Sequence, residues 1–190
     1  MTATPDHART AVAAIEATFR AQKSLGEKAL AQTSDAALHT PLSPDTSSVA
    51  VITRHMSGNL LSRFTDFLTT DGEKTWRDRD REFIGDHAPR EEVVRRWEQG
   101  WTCLFAALDT LNDTDLGRTV TIRSEPHTVA LALARALAHQ SYHVGQIVQT
   151  CRVHAQGRAW QTLTIPRGGS DNFNAKMGHT AESPSPALRV

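Results

Sequence analysis

Two histidines four residues apart, His139 and His143, lie in Leu137-Ala-His-Gln-Ser-Tyr-His-Val-Gly-Gln-Ile147, and a third, His55, lies far upstream in Arg54-His-Met-Ser-Gly-Asn59. On a helix, residues four apart share a face, so the pair can grip one ion while a histidine from a second helix completes the set. Three neutral protein ligands leave a coordination position open, the arrangement of a reactive metal. The spacing alone does not assign an ion, because two hydrogen-bonded histidines at a helix boundary fit it equally.

Four long helices must position these residues. The first is expected from about Asp6 to Gln32, with Val12, Ile15, Phe19 and Leu30 at helical spacing and Gly26 as the point for a bend. The second follows the capping segment Leu42-Ser-Pro-Asp-Thr-Ser-Ser48 and runs from Ser47 to about Leu68, its apolar face made of Val49, Met56, Leu60 and Phe67. Pro89 and two glutamates open the third, which runs to Thr110 and carries Val93, Trp97, Trp101, Leu104, Phe105 and Leu108; the two tryptophans read as core or dimer contact. The fourth spans about His127 to His154, with Gly157 as its stop.

The connections break the regularity of a simple up-and-down layout. Thr69 to Pro89 contains the charge run Arg77-Asp-Arg-Asp-Arg-Glu82, read as a solvated loop. Gly117 to Arg123 alternates β-branched residues, as a short extended segment or hairpin arm does. Beyond the fourth helix the sequence is irregular, and Arg167-Gly-Gly-Ser170 reads as an ordinary turn before an anion-binding nest. The expected fold is all-α, a four-helix bundle with long connections and an irregular C-terminal extension, one domain over residues 1–178 and a flexible tail over 179–190.

Both histidine-bearing helices place their histidines beside the apolar stripe. His139 and His143 align with Ala132, Ala136, Gln146 and Thr150, and helical side chains lean toward the N-terminus, so space opens over the two small alanines. In the second helix Ile52, His55, Asn59, Ser62 and Asp66 share a line, which makes Asn59, Asp66 and Gln146 candidates for polar support around the site. Cys151 and His154 lie about 12 and 16 Å beyond His143 along the helix axis, too far to bind the same ion. Residue 140 is Gln where the helical zinc-protease motif needs a glutamate, and the Glu-x-x-His pairs of di-iron bundles are absent.

The chain as a whole narrows the function classes. Its 21 lysines and arginines balance 21 aspartates and glutamates, which gives no electrostatic reason to seek nucleic acid or anionic lipid. No stretch has the apolar length of a membrane span and no signal peptide is recognisable, so a soluble, cytoplasmic protein is expected. Two isolated cysteines, Cys103 and Cys151, suggest no disulfide framework.

His55 in His-Met-Ser-Gly-Asn-Leu-Leu-Ser-Arg63, the Gly100-Trp101 helix, His139-Gln-Ser-Tyr-His-Val-Gly-Gln-Ile147 and Trp160-Gln-Thr-Leu-Thr-Ile-Pro-Arg-Gly-Gly-Ser170 together resemble the DinB/YfiT superfamily, over about Ser47 to Asn174. The resemblance implies a four-helix bundle, commonly a homodimer, with a divalent metal on one histidine of helix two and two of helix four, here His55, His139 and His143. Relatives in that superfamily include bacillithiol-type thiol S-transferases and a mycothiol-dependent maleylpyruvate isomerase. The expected function is therefore metal-dependent chemistry with a low-molecular-weight thiol and a small-molecule substrate. Zinc is the first choice of ion, with nickel, cobalt, manganese and iron also accepted by imidazole. The alternatives are a metal-dependent hydrolase, whose general base would come from a loop, and a non-enzymatic metal-binding or stress-related interaction module.

Overall fold

A computed structural model describes residues 7–155 and 160–178. The chain divides into two compact units, residues 1–158 and 159–190. The first unit contains the four long helices α1 (Thr10–Ala31), α3 (Val49–Phe64), α5 (Arg90–Asp109) and α6 (Val129–His154). Two single-turn helices, α2 (Asp35–Leu38) and α4 (Arg79–Glu82), sit in the connections, and a two-stranded antiparallel hairpin, β1 (Thr119–Ile122) and β2 (Glu125–Thr128), precedes α6. The protein is mostly helical, as expected of an all-α bundle. Among the described residues no helix is long and apolar enough to cross a membrane.

The helix ends follow local chemistry. Ser48 and Thr128, extended residues whose hydroxyls accept from the amides of Val51 and Leu131, start α3 and α6, while Pro89 occupies the extended N-cap of α5 ahead of Glu91 and Glu92. The first amides of α1 are capped from outside: Asp113 accepts from Ala11 and Val12, both at 2.9 Å. Arg9 in turn donates to the carbonyls of Leu108 and Leu111 at the end of α5, tying two helix termini together.

Helix α3 packs against both α5 and α6, and α1 against α6 and α5. Being covered on several sides, α3 buries small polar residues such as Thr53, Ser57 and Ser62 as well as Val49, Ile52, Met56 and Leu60. Trp97 and Trp101 are core residues, Trp101 meeting Phe19 edge-on at 6.3 Å. Gly26, expected at a bend, lies buried inside α1, where a Cβ would run into the ring of Trp97; its smallness serves the approach of α1 to α5.

Three sequence readings are corrected. Helix α3 stops at Phe64, and Asp66 adopts a left-handed φ of 50°, so it is exposed beyond the helix and off the line of His55 and Asn59. The charge run is not a solvated loop throughout: the side chains of Arg77 and Glu82 are 2% and 8% exposed. In the second unit, described over residues 160–178, a turn from Pro166 to Gly169 is followed by a helix, α7 (Ser170–Lys176), where irregular structure was expected. Gly157 and the tail 179–190 lie outside the described residues.

Both long connections are fastened to the bundle. Arg54 on α3 donates to the carbonyls of Glu82 and Ile84 and pairs with Asp86 at 2.9 Å, strapping that segment onto the helix. The hairpin turns on Arg123 and Ser124, both at positive φ (55° and 62°), as a tight two-residue turn requires. Neither is glycine; their amides donate to the Asp71 carboxylate at 2.9 and 2.7 Å, which supports the turn. The Glu73 amide also donates to Asp71, at 2.7 Å, and the backbone hydrogen bonds, that of Glu73 foremost, hold the Asp71 carboxyl down at about 2.

Candidate metal centre

Helices α3 and α6 bring His55, His139 and His143 together, with one ring nitrogen of each lying within 4.8 Å of the others. His139 stands between its partners: its Nε2 is 3.3 Å from Nε2 of His55 and 3.2 Å from Nε2 of His143. The outer nitrogens are tied back. His55 Nδ1 donates to Glu82 Oε2 at 2.9 Å and His143 Nδ1 to Gln146 Oε1 at 2.7 Å, which leaves both Nε2 atoms as inward-facing lone pairs.

The third ring depends on a buried amide. Gln140 Nε2 lies 3.3 Å from both His139 Nδ1 and Asn59 Oδ1, while Gln140 Oε1 is buried without a partner among the described residues. With that nitrogen facing His139, the ring keeps its proton on Nε2 and shares it with the other two histidines. With the Gln140 and Asn59 amides both turned over, Gln140 Oε1 accepts from His139 Nδ1–H and from the Asn59 amide nitrogen, and all three Nε2 lone pairs converge. Converging lone pairs repel unless a cation lies between them, and a proton on His139 is a poor candidate. Burial, with the neighbouring His143 and His55 adding to it, lowers that ring to about 3. His143 is also lowered, by burial and His55, against the hydrogen bond it donates to Gln146. The donor set fits a divalent metal.

Glu82, like Gln140, is a residue at the site that sequence reasoning missed. Its carboxylate accepts from His55 and from both Nε and Nη2 of Arg77, at 2.8 and 2.9 Å. Burial alone would raise this carboxyl, but the hydrogen bonds from His55 and Arg77 outweigh it and hold it below its ordinary value. Room for the carboxylate comes from Gly58, one helical turn after His55, where a Cβ would collide with it. Phe83 adds its ring against His55 at 4.6 Å. The one trace in the sequence is that Phe83 closes a run otherwise made only of charged residues.

Two cavities border the histidines. The first, about 210 Å³, is lined by His55 and His139 with Asn59, Phe64, Ile122, Ala132 and Ala136, so the small alanines do leave room beside the rings. The second, about 600 Å³, is lined by His55 and His143 with Leu42, Ile52, Phe83, Tyr142 and Gln146. Of the supporting residues expected from sequence, Asn59 and Gln146 stand at the site and Asp66 does not line either cavity. Cys151 is buried, and His154 bonds the Thr40 carbonyl at 2.8 Å.

No curated protein and no solved structure matches the chain. A family model described as a protein of unknown function, DUF1572, matches residues 6–169, and the chain belongs to that family.

Proposed function

We propose that His55, His139 and His143 hold a divalent metal, zinc first among the candidates, and that this DinB/YfiT-like protein is an enzyme working with a low-molecular-weight thiol. The observation that carries the reading is the convergence of three Nε2 atoms whose rings are each steadied from outside by Glu82, Gln146 or Gln140. A dication bound there would lower a thiol from its ordinary value near 8.5, supplying thiolate at neutral pH. The protein's own part is to keep the rings neutral and aimed: burial opposes a second proton on His139 and His143, and Glu82 fixes the His55 tautomer. The cavity of about 600 Å³ beside His143 offers an apolar wall to an electrophile.

The test is elemental analysis of the purified full chain, followed by conjugation assays with cellular thiols and a panel of electrophiles. One divalent ion per chain and metal-dependent conjugation are expected; a chain that takes up no divalent ion at neutral pH would overturn the reading. A second reading, hydrolysis, draws on Asp45, a loop carboxylate lining the cavity beside His143 and available as a general base. Asp45→Asn should abolish hydrolysis under that reading and leave thiol conjugation intact under the first.

A further inference from the structure

The cavity beside His139 has walls that holding a metal does not require. Five of its lining residues are arginines, Arg63, Arg77, Arg79, Arg123 and Arg135, and none is acidic. Few carboxylates answer them. Glu82 takes Arg77, and Glu73 is shared between Arg63 at 3.2 Å and Arg123 at 2.9 Å. Among the described residues Arg79 has one carboxylate neighbour, the exposed Asp80 at 3.9 Å, beyond hydrogen-bond reach, and its guanidinium lies over the Phe83 ring at 5.0 Å. Arg135 is bonded to the His127 ring and has no carboxylate partner among the described residues. Three of the five guanidiniums thus hydrogen-bond two carboxylates, so five positive charges meet two bonded negative ones and an excess of three is left at this cavity.

The excess is felt inside the cavity. Burial lowers Arg63, and the charges of Arg77 and Arg123 push it further in the same direction, against its pairing with Glu73. Arg63 and Arg77 are part-buried, while Arg79, Arg123 and Arg135 are exposed; like charges gathered around a cavity attract an anion into it, and guanidinium forks match the oxygens of carboxylate and phosphate. The chain has no net charge to explain the cluster as part of a general basic surface.

We infer that this cavity receives an oxyanionic group, carboxylate or phosphate, of a small-molecule substrate whose reacting part lies at the three histidines. The inference rests on the reading of those histidines as the reacting centre, and it names the substrate class: an anionic small molecule. Arg79 and Arg135, which lack a close carboxylate, are the residues whose charge is left to bind it.

Calorimetric titration of the full chain with inorganic phosphate and with succinate tests this, before and after metal removal by a chelator. Roughly millimolar or tighter binding of at least one is expected. The Arg79→Gln/Arg135→Gln variant should weaken it by about tenfold or more, with an unchanged circular dichroism spectrum. Arg95→Gln, on the exposed face of α5, should leave it unchanged. Phosphate binding alone points to a phosphorylated substrate, and succinate binding alone to a carboxylate. Failure of both to bind overturns the inference, as does binding that ignores the double variant or falls equally with Arg95→Gln. Anion binding in a protein that takes up no metal would sustain the oxyanion subsite and sink the metal reading; metal uptake without anion binding would do the reverse.

Discussion

His55 and the α6 pair reach the same point by opposite means. His55 is 4% exposed and is held by an ionised carboxylate that is itself clamped by a buried arginine, all supplied from a connection distant in sequence. His139 and His143 are half-buried and steadied by neutral amides from their own helix, Gln140 and Gln146. A carboxylate on the outer nitrogen makes an imidazole a more basic ligand, whereas an amide mainly orients it. One ring is therefore built as the strong, fixed donor and two as adjustable ones.

The comparison breaks most severely if a ring is removed. His139→Ala takes away the nitrogen that both other rings approach, and metal affinity measured by competition with a chelator should fall by more than about 100-fold, beyond what loss of an outer partner causes. Next in size is Glu82→Gln, for which a loss of about 10–100-fold in metal affinity is expected. It also strands the buried Arg77 charge, so urea unfolding should show a destabilisation of about 3–5 kcal/mol. Gly58→Ala, which displaces the same carboxylate while keeping its charge, should reproduce the affinity loss; equal affinity in both variants and wild type would refute the contrast. Gln146→Ala removes one neutral hydrogen bond, worth about 1 kcal/mol, and should weaken the metal by roughly fivefold.

The last effect is a slope, read without any change of ligand. In metal-free protein His139 sits at about 3, below its ordinary value of 6.5, so between those values the unfolded chain carries a proton that the folded ring refuses. Stability should then be complete above about pH 6.5 and decline as pH falls toward 3. Denaturant midpoints at pH 7 and pH 5 read this directly, and His139→Gln should flatten the difference. A slope unchanged by that substitution would place the titration elsewhere.

Much of this site was legible in the sequence because helical periodicity is a local property. The i, i+4 spacing of His139 and His143, the small residues Ala132 and Ala136, and the positions of Asn59 and Gln146 all follow from residues within a few turns of one another. Asp66 failed for a local reason too: the left-handed residue that ends the line follows the helix end at Phe64, earlier than its apolar spacing suggested. Glu82 was invisible because its burial depends on a pairing with Arg77 and a vacancy at Gly58, and a charge run on its own reads as solvated. The arginine wall is likewise assembled from α3, the 77–79 segment, the hairpin turn and α6, which no single stretch of sequence displays.

Arg54 and His55 are neighbours on α3, and both hold the same short segment, one by its carbonyls and the other by the Glu82 carboxylate. Any event that steadies His55 therefore slows the local opening of that segment, and by thermodynamic reciprocity any event that steadies the segment favours occupancy at His55. The backbone amides around Glu82 to Asp86 thus become reporters for the metal centre: their hydrogen exchange should slow on metal loading although none of them lies on a histidine-bearing helix.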